Sequence, residues 1–218
     1  MAGMGLIDKD LDSYVSAHTT RPDPLVEELI AQTREQFGPE ARMLITPEQS
    51  TLLTMLAALA GARQAVEIGT FTGLSALSFA RAMPADGKLI CMDTSAEFTA
   101  LARQFWAKAG VADRIELRLG PAAQSLPHLP TEPHLDLAFI DADKTSYGTY
   151  WAELVPRMRP GGLILVDNTL WSRRVLAPEP DDADSVALAR FNDEIARDER
   201  VDVVLLPFAD GLTLARRR

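Results

Sequence analysis

Ala65-Val66-Glu67-Ile68-Gly69 reads as a short strand, and Thr70-Phe71-Thr72-Gly73 as the turn that carries it into a helix. That helix, Leu74 to Met83, stops at Pro84, and Lys88 to Asp93 reads as a second strand. A proline ends a helix because it lacks an amide hydrogen and its ring collides with the preceding turn. The alternation continues: Ala96 to Ala109 is a helix ended by Gly110, Ile115 to Leu119 a third strand, and Leu135 to Ile140 a fourth. A helix from Tyr147 to Met158 ends before Pro160-Gly161-Gly162, Leu163 to Val166 is a fifth strand, and Ser185 to Asp198 a further helix. Strands alternating with helices predict a parallel sheet with helices on both faces. Val201 to Leu206 and Leu212 to Ala215 are joined by Pro207 to Gly211, too short for a crossover helix, so they predict an antiparallel pair. The expectation is an α/β fold whose mixed sheet has seven strands, one of them antiparallel.

Upstream of the first strand the chain reads as helical. Asp23-Pro24 opens a helix, with Asp as cap and Pro at the first position. Leu25, Leu29 and Phe37 share one apolar side, and Gly38-Pro39 stops it. Thr46-Pro47-Glu48-Gln49 carries the threonine and glutamine of a capping box. The run on to Ala60 is apolar almost all round, which predicts burial on several sides. The 218 residues fit one domain, with 1–60 a helical segment and 61–218 an α/β core. A chain of this length buries about 70% of the surface its unfolded form exposes.

Composition narrows the function classes. With 22 Lys and Arg against 31 Asp and Glu, the net charge is −9, so the chain repels phosphate backbones and no nucleic-acid partner is expected. The tail Arg216-Arg217-Arg218 reads as a solvated terminus. Met1 to Asp10 shows no basic segment followed by an apolar one, so no signal peptide is expected. No segment approaches the ~20 apolar residues that span a bilayer. A cytoplasmic protein without a membrane partner follows as the expectation. The single cysteine, Cys91, sits in the apolar run Leu89-Ile90-Cys91-Met92 and reads as a buried structural thiol. His18, His128 and His134 fall in no spacing that makes a site, and the charged stretch from Glu179 to Asp184 reads as a mobile loop.

Ligands of open α/β sheets bind beyond the carboxyl ends of the strands. Here those ends read Glu67-Ile68-Gly69, Asp93, Gly120-Pro121-Ala122, Asp141-Ala142-Asp143-Lys144 and Asp167-Asn168, so five successive strands place acids or glycines on one rim. The first turn is not the dinucleotide fingerprint, because its pattern is Glu67-x-Gly69-x-x-x-Gly73 and the acid would repel a pyrophosphate. That spacing argues against a nicotinamide dehydrogenase. The acid suits a cationic ligand, Gly69 lets a ligand approach the backbone, and Asp93 is placed to accept from ribose hydroxyls. S-adenosylmethionine has both the positive charge and the ribose. The plainer alternative for Gly69 and Gly73 is an ordinary strand-to-helix turn.

Asp141, Asp167 and Asn168 form a second set, of hard oxygen donors with no Cys or His nearby in sequence. Such a set suits Mg²⁺ first, with Ca²⁺ or Mn²⁺ as alternatives. The plainer alternative is that these acids cap helices, which is most live for Asp143. Lys144 reads either as a general base beside a metal or as a solvated surface lysine.

At this point the sequence resembles the cation-dependent class I O-methyltransferases, the caffeoyl-CoA and catechol O-methyltransferase family, in a bacterial-type form. The resemblance runs from about Met43 to Arg217. It is carried by Glu67 to Gly73, Ala109 to Ala112, Gly120 to Ala122, Phe139 to Lys144, Gly161-Gly162, Val166 to Trp171 and Leu206 to Thr213. The D-A-D-K run at 141–144 and the D-N-T-L-W run at 167–171 are its most specific parts. It implies a Rossmann-like, S-adenosylmethionine-dependent methyltransferase fold with an N-terminal helical extension. By the same resemblance Glu67, Gly69, Thr70 and Ser75 line the methionine part of the cofactor, and Ile45 flanks it. Asp93 holds the ribose, Ala122 contacts the adenine region, and Asp141, Asp143 and Tyr150 complete the pocket. Asp141, Asp167 and Asn168 bind the cation, Lys144 occupies the position linked to acceptor deprotonation, with Lys144, or Asp141 through the metal, accepting or screening the proton, and the protein is a homodimer. Ser172 and the stretch from Arg173 to Asp184 depart from the plant members' pattern.

The activity so implied is methylation of one hydroxyl of a metal-chelated catechol-type small molecule. Two other readings use the same residues. One is a metal-independent methyltransferase of another small-molecule acceptor, in which Asp141 and Asp167 are structural. The other is a catalytically inactive S-adenosylmethionine binder, against which the intact set Asp141, Asp167, Asn168 and Lys144 argues.

Overall fold

In the computed structural model, residues 8–218 are described. Residues 1–7, part of the stretch read as lacking a signal peptide, lie outside the described residues. The elements in chain order are α1 Lys9–Ala17, α2 Pro24–Phe37, α3 Pro47–Leu59, β1 Gln64–Ile68, α4 Leu74–Ala82, β2 Lys88–Asp93, α5 Ala96–Lys108 and β3 Ile115–Leu119. They continue as α6 Ala122–Ser125, β4 Leu135–Ile140, α7 Tyr147–Arg157, β5 Met158–Val166, α8 Ala183–Ile195, β6 Val201–Leu206 and β7 Leu212–Arg217. The seven strands form one sheet in the order β3-β2-β1-β4-β5-β7-β6. Pairs β1–β2, β2–β3 and β4–β5 are parallel, while β7 runs antiparallel to both β5 and β6. The mixed sheet with one antiparallel strand is as the sequence predicts. None of the described helices is long and apolar enough to cross a membrane.

The described chain divides into two compact units, Thr19–Ser125 and Leu126–Arg218 together with residues 8–18. In the first, four of the five residues of β1 are buried, as are seven of the nine residues of α4. Each fully buried side chain such as Phe79 or Phe105 contributes about 1.5–3 kcal/mol. Asp23 caps α2 by accepting from the amides of Leu25 and Val26. The buried face of α2 is Val26, Leu29, Ile30 and Thr33; of the residues expected there Leu29 is buried, while Leu25 and Phe37 are only half-buried. Thr33 can turn inward because its hydroxyl donates to the Thr72 hydroxyl at 2.9 Å. The capping box of α3 is complete in both directions between Thr46 and Gln49. Its predicted burial on several sides is not seen, since Met55 is 55% and Leu59 81% exposed. The buried side instead includes polar Ser50, whose hydroxyl bonds that of Ser78 at 2.7 Å.

In the second unit every residue of β4 is buried. Strand β5 begins at Met158, five residues before the expected Leu163, and helix α7 ends one residue early at Arg157. Pro160-Gly161-Gly162 makes a bulge in the strand, not a break ahead of it: Leu135 pairs with Met158, but Leu137 pairs with Leu163. Gly162 permits this, because a Cβ there would lie 2.9 Å from the Leu135 carbonyl oxygen. Helix α8 starts at Ala183, two residues before the expected Ser185, because the Asp182 carboxylate accepts from the Ser185 amide. Asp182, in the 179–184 stretch, also pairs with Arg174 at 2.8 Å. At the other end α8 stops at Ile195, short of the expected Asp198, whose carboxylate accepts from the Trp151 indole and binds Arg200.

Candidate active site

The first unit carries the β1 turn. Gly69 and Gly73 have φ of +87° and +83°, a backbone region open mainly to glycine. A Cβ on Gly73 would lie 2.6 Å from Ala102 Cβ and 2.8 Å from Trp106 Nε1, so this glycine also serves close packing. Asp93, closing β2, grips the turn: its Oδ2 accepts from the amides of Thr70 at 2.9 Å and Phe71 at 2.8 Å. Its Oδ1 accepts from the Ser95 amide at 2.8 Å. An ionised carboxylate has about four acceptor positions, so one direction remains for a ligand hydroxyl. Glu67 is fully buried. It lies against Cys91, whose thiol is pushed well above its ordinary pKa by burial first and then by the Glu67 charge. Cys91 is the buried thiol expected. Ile45, Thr70, Ser75 and Ala122 are all buried in this unit as well.

The second unit gathers the acids and the lysine. Lys144 is not a surface lysine: it is 7% exposed. Its Nζ donates to Asp141 Oδ1 at 3.1 Å and to the Tyr147 hydroxyl at 2.7 Å. Tyr147, fully buried, donates in turn to the Asp167 carbonyl oxygen at 3.1 Å. Burial first, then the charges of Asp141, Asp167 and Asp143, hold the Tyr147 phenol well above its ordinary range, so it stays protonated. The sequence reasoning missed Tyr147. Its position three residues after Lys144, at the start of a helix, was the available signal.

Asp143 does not cap the following helical turn with its side chain. Its Oδ1 accepts from the Tyr150 hydroxyl at 2.5 Å. Burial, with Asp143 next, pushes Tyr150 up to about 12. Asp167 is 2% exposed, and its Oδ1 accepts from the Asn168 amide at 2.8 Å. Asn168 has φ +58°, which asparagine tolerates better than most residues. Asp141, Lys144 and Asp167 are thus linked through Tyr147, while Asp143 and Tyr150 form a separate pair.

Comparison with known proteins decides the family. The O-methyltransferase family matches residues 13–218. The chain belongs to that family. It is 41% identical over 223 residues to caffeoyl-CoA O-methyltransferase 2 of Zea mays, covering 96% of this chain and 84% of that one. It is 38% identical over 211 residues to catechol O-methyltransferase domain-containing protein 1 of Mus musculus, covering 95% and 80%. Among solved structures, the O-methyltransferase TomG from Streptomyces achromogenes, in complex with S-adenosylmethionine, superposes with a TM-score of 0.86. Identity there is 31%, over 95% of this chain and 96% of TomG. The fold is therefore the Rossmann-like methyltransferase fold that the sequence predicts.

The donor set bears on a cation. Among the described residues no three His, Cys, Asp or Glu side chains gather to hold a metal ion. Beside the carboxylates of Asp141 and Asp167, the Asn168 amide is the further oxygen-bearing side chain next in the chain. Two carboxylates and an amide, all oxygen donors, fit a hard divalent cation.

Proposed function

We propose that this chain is an S-adenosylmethionine-dependent O-methyltransferase that methylates one hydroxyl of a vicinal diphenol. The observation that carries the reading is the buried Lys144 amine, 3.1 Å from Asp141 and joined through Tyr147 to Asp167. In this reading Glu67, Gly69, Thr70, Ser75 and Ile45 surround the methionine part of the cofactor. The open position on Asp93 takes a ribose hydroxyl, Ala122 meets the adenine, and Asp141, Asp143 and Tyr150 complete the pocket. The relative solved with S-adenosylmethionine supports that cofactor. The bacterial-type form stays part of this reading, with relatives on both sides: the Streptomyces protein at 31% identity, the maize and mouse proteins at 41% and 38%.

Asp141, Asp167 and Asn168 would hold a divalent cation, Mg²⁺ first, with Ca²⁺ and Mn²⁺ as alternatives. When bound, such a cation lowers the pKa of an acceptor hydroxyl and orients it. Lys144 is held by Asp141 and Tyr147, and its Nζ takes the phenolic proton in its unprotonated form. The phenolate oxygen forms a bond to the methyl carbon as the sulfonium carbon–sulfur bond breaks. The products are a methyl ether and S-adenosylhomocysteine, and the sulfonium and phenolate charges cancel. Because charge is neutralised, positioning supplies most of the gain, on the order of 7–11 kcal/mol. The protein is read as a cytoplasmic homodimer acting on a small molecule, and sedimentation velocity checks the dimer.

The test is methyl transfer to an ortho-diphenol panel, with Mg²⁺ and with excess EDTA. Turnover should need the metal; Asp141→Ala and Asp167→Ala should both lose metal binding and turnover, and Asp167→Ala, which lies outside the cofactor pocket of this reading, should keep cofactor affinity by calorimetry. Full activity in EDTA would instead establish the metal-independent alternative.

A further inference from the structure

We propose that Asp210, in the turn between β6 and β7, is a positioning residue for the acceptor, because it fixes the amides on both sides of Trp171 and so holds that indole beside the Lys144 amine. The Leu170 amide donates to the Asp210 carbonyl oxygen at 2.9 Å, and the Ser172 amide donates to Asp210 Oδ1 at 2.5 Å. Trp171 lies between these two contacts in the chain. Its ring centroid is 5.5 Å from Lys144 Nζ and 4.9 Å from the Arg174 guanidinium carbon. Lys144 is the group assigned above to the acceptor proton, so Trp171 is placed to form a wall of the acceptor pocket. The inference rests on that reading of the acceptor.

The segment needs such a holder. Trp171, Ser172 and Arg173 have φ of +47°, +50° and +70°, and none is glycine. Each residue in this region costs about 1–2 kcal/mol for an L side chain. A run of three persists only where its surroundings over-determine it. Asp210 is 5% exposed, so its carboxylate gives Ser172 a partner that water does not replace. Gly211 seats the turn: a Cβ there would lie 2.4 Å from the Leu170 nitrogen. The Gly211 carbonyl oxygen accepts from the Thr169 amide at 3.0 Å. Thr169 is further pinned by the Thr213 hydroxyl at 3.0 Å and by Asn192 Nδ2 at 2.7 Å. The fixed base therefore stops at Thr169, and beyond it Asp210 holds the amides of Leu170 and Ser172.

The experiment compares Asp210→Ala with Asp210→Asn in the full chain. Asparagine keeps an oxygen for the Ser172 amide, and alanine does not. With Mg²⁺, S-adenosylmethionine and a simple diphenol, Asp210→Ala should lower kcat/KM on the order of 10²-fold, the scale of an ångström-sized misplacement. Cofactor affinity by calorimetry should not change, and Asp210→Asn should recover most of the loss. A second arm needs no activity. Trypsin should cut after Arg173 and Arg174 faster in Asp210→Ala than in wild type, and Asp210→Asn should not share the increase. Unchanged cleavage in Asp210→Ala overturns the proposal, as does loss of cofactor affinity and melting temperature in step with activity. If wild type itself methylates no diphenol, the acceptor reading fails, and the cleavage arm alone still decides whether Asp210 holds the turn.

Discussion

Two loops at strand ends, one in each compact unit, are gripped by an aspartate from elsewhere in the chain, and they meet the same backbone demand differently. After β1, Asp93 takes the amides of Thr70 and Phe71, and two of the three residues with positive φ are glycines. After β5, Asp210 takes the Ser172 amide, and all four residues with positive φ, Asn168, Trp171, Ser172 and Arg173, carry side chains. The first turn reaches its shape with steric strain at Phe71 alone, its two glycines adopting positive φ without a Cβ clash. The second keeps side chains at every position, with strain that its surroundings must offset. We read this as a division of roles, in which the first loop presents backbone to a ligand and the second presents side chains.

The sharpest way to break the comparison is to add a methyl to the glycine that seats each loop. Gly73→Ala and Gly211→Ala each combine a positive φ with a Cβ closer than 3 Å to its neighbours. Each should lose about 3 kcal/mol or more by denaturant unfolding. Where enough protein folds, Gly73→Ala should weaken cofactor binding and Gly211→Ala should raise the acceptor KM. The reverse pattern would show that the two loops have been given the wrong roles.

A smaller effect separates strain that packing offsets from strain that it does not. Arg173 is exposed with φ +70°, so Arg173→Gly should stabilise the chain by about 0.5–1 kcal/mol after glycine's own entropy cost. Phe71, at φ +50°, packs against Phe98 and Phe37 with ring centroids 4.8 and 6.0 Å apart. Phe71→Gly should therefore destabilise by about 1 kcal/mol despite relieving the same strain. Denaturation midpoints that move in the same direction would sink the distinction.

A further effect appears only in alkali and contrasts Asp93, which accepts from amides, with Asp143, which accepts from a phenol. Tyr150 is raised to about 12 from an ordinary 10. The folded state therefore holds this proton more tightly than the unfolded chain does. Its stabilising contribution is complete below pH 10 and is lost as pH rises through 12. Stability measured from pH 9 to 12 should fall less steeply in Tyr150→Phe than in wild type.

The sequence makes the first loop legible and hides most of the second. Gly69 and Gly73 announce positive φ by their residue type, and the acids at the strand ends fall where alternating elements place them. Nothing in Trp171-Ser172-Arg173 signals a left-handed run, because the cause is Asp210, distant in the chain. Burial depends on partners distant in the chain or on the next turn. For Lys144 the sequence leaves a general base and a surface lysine both open, and Asp141 and Tyr147 decide for the buried one. Thr33 and Ser50 are polar residues on buried helix faces, where Thr72 and Ser78 supply their partners. The bulge at Gly161-Gly162 reads as a break because a Pro-Gly-Gly run marks turns far more often than it marks a strand hugging its neighbour.

Cys91 is the only sulfhydryl in 218 residues, it sits on β2 with no exposed surface, and both burial and Glu67 oppose its ionisation. A thiol reagent can reach it only when that part of the sheet opens. The rate of labelling is therefore a stopwatch on opening events in the unit Thr19–Ser125, already present in the natural chain and needing no engineered probe.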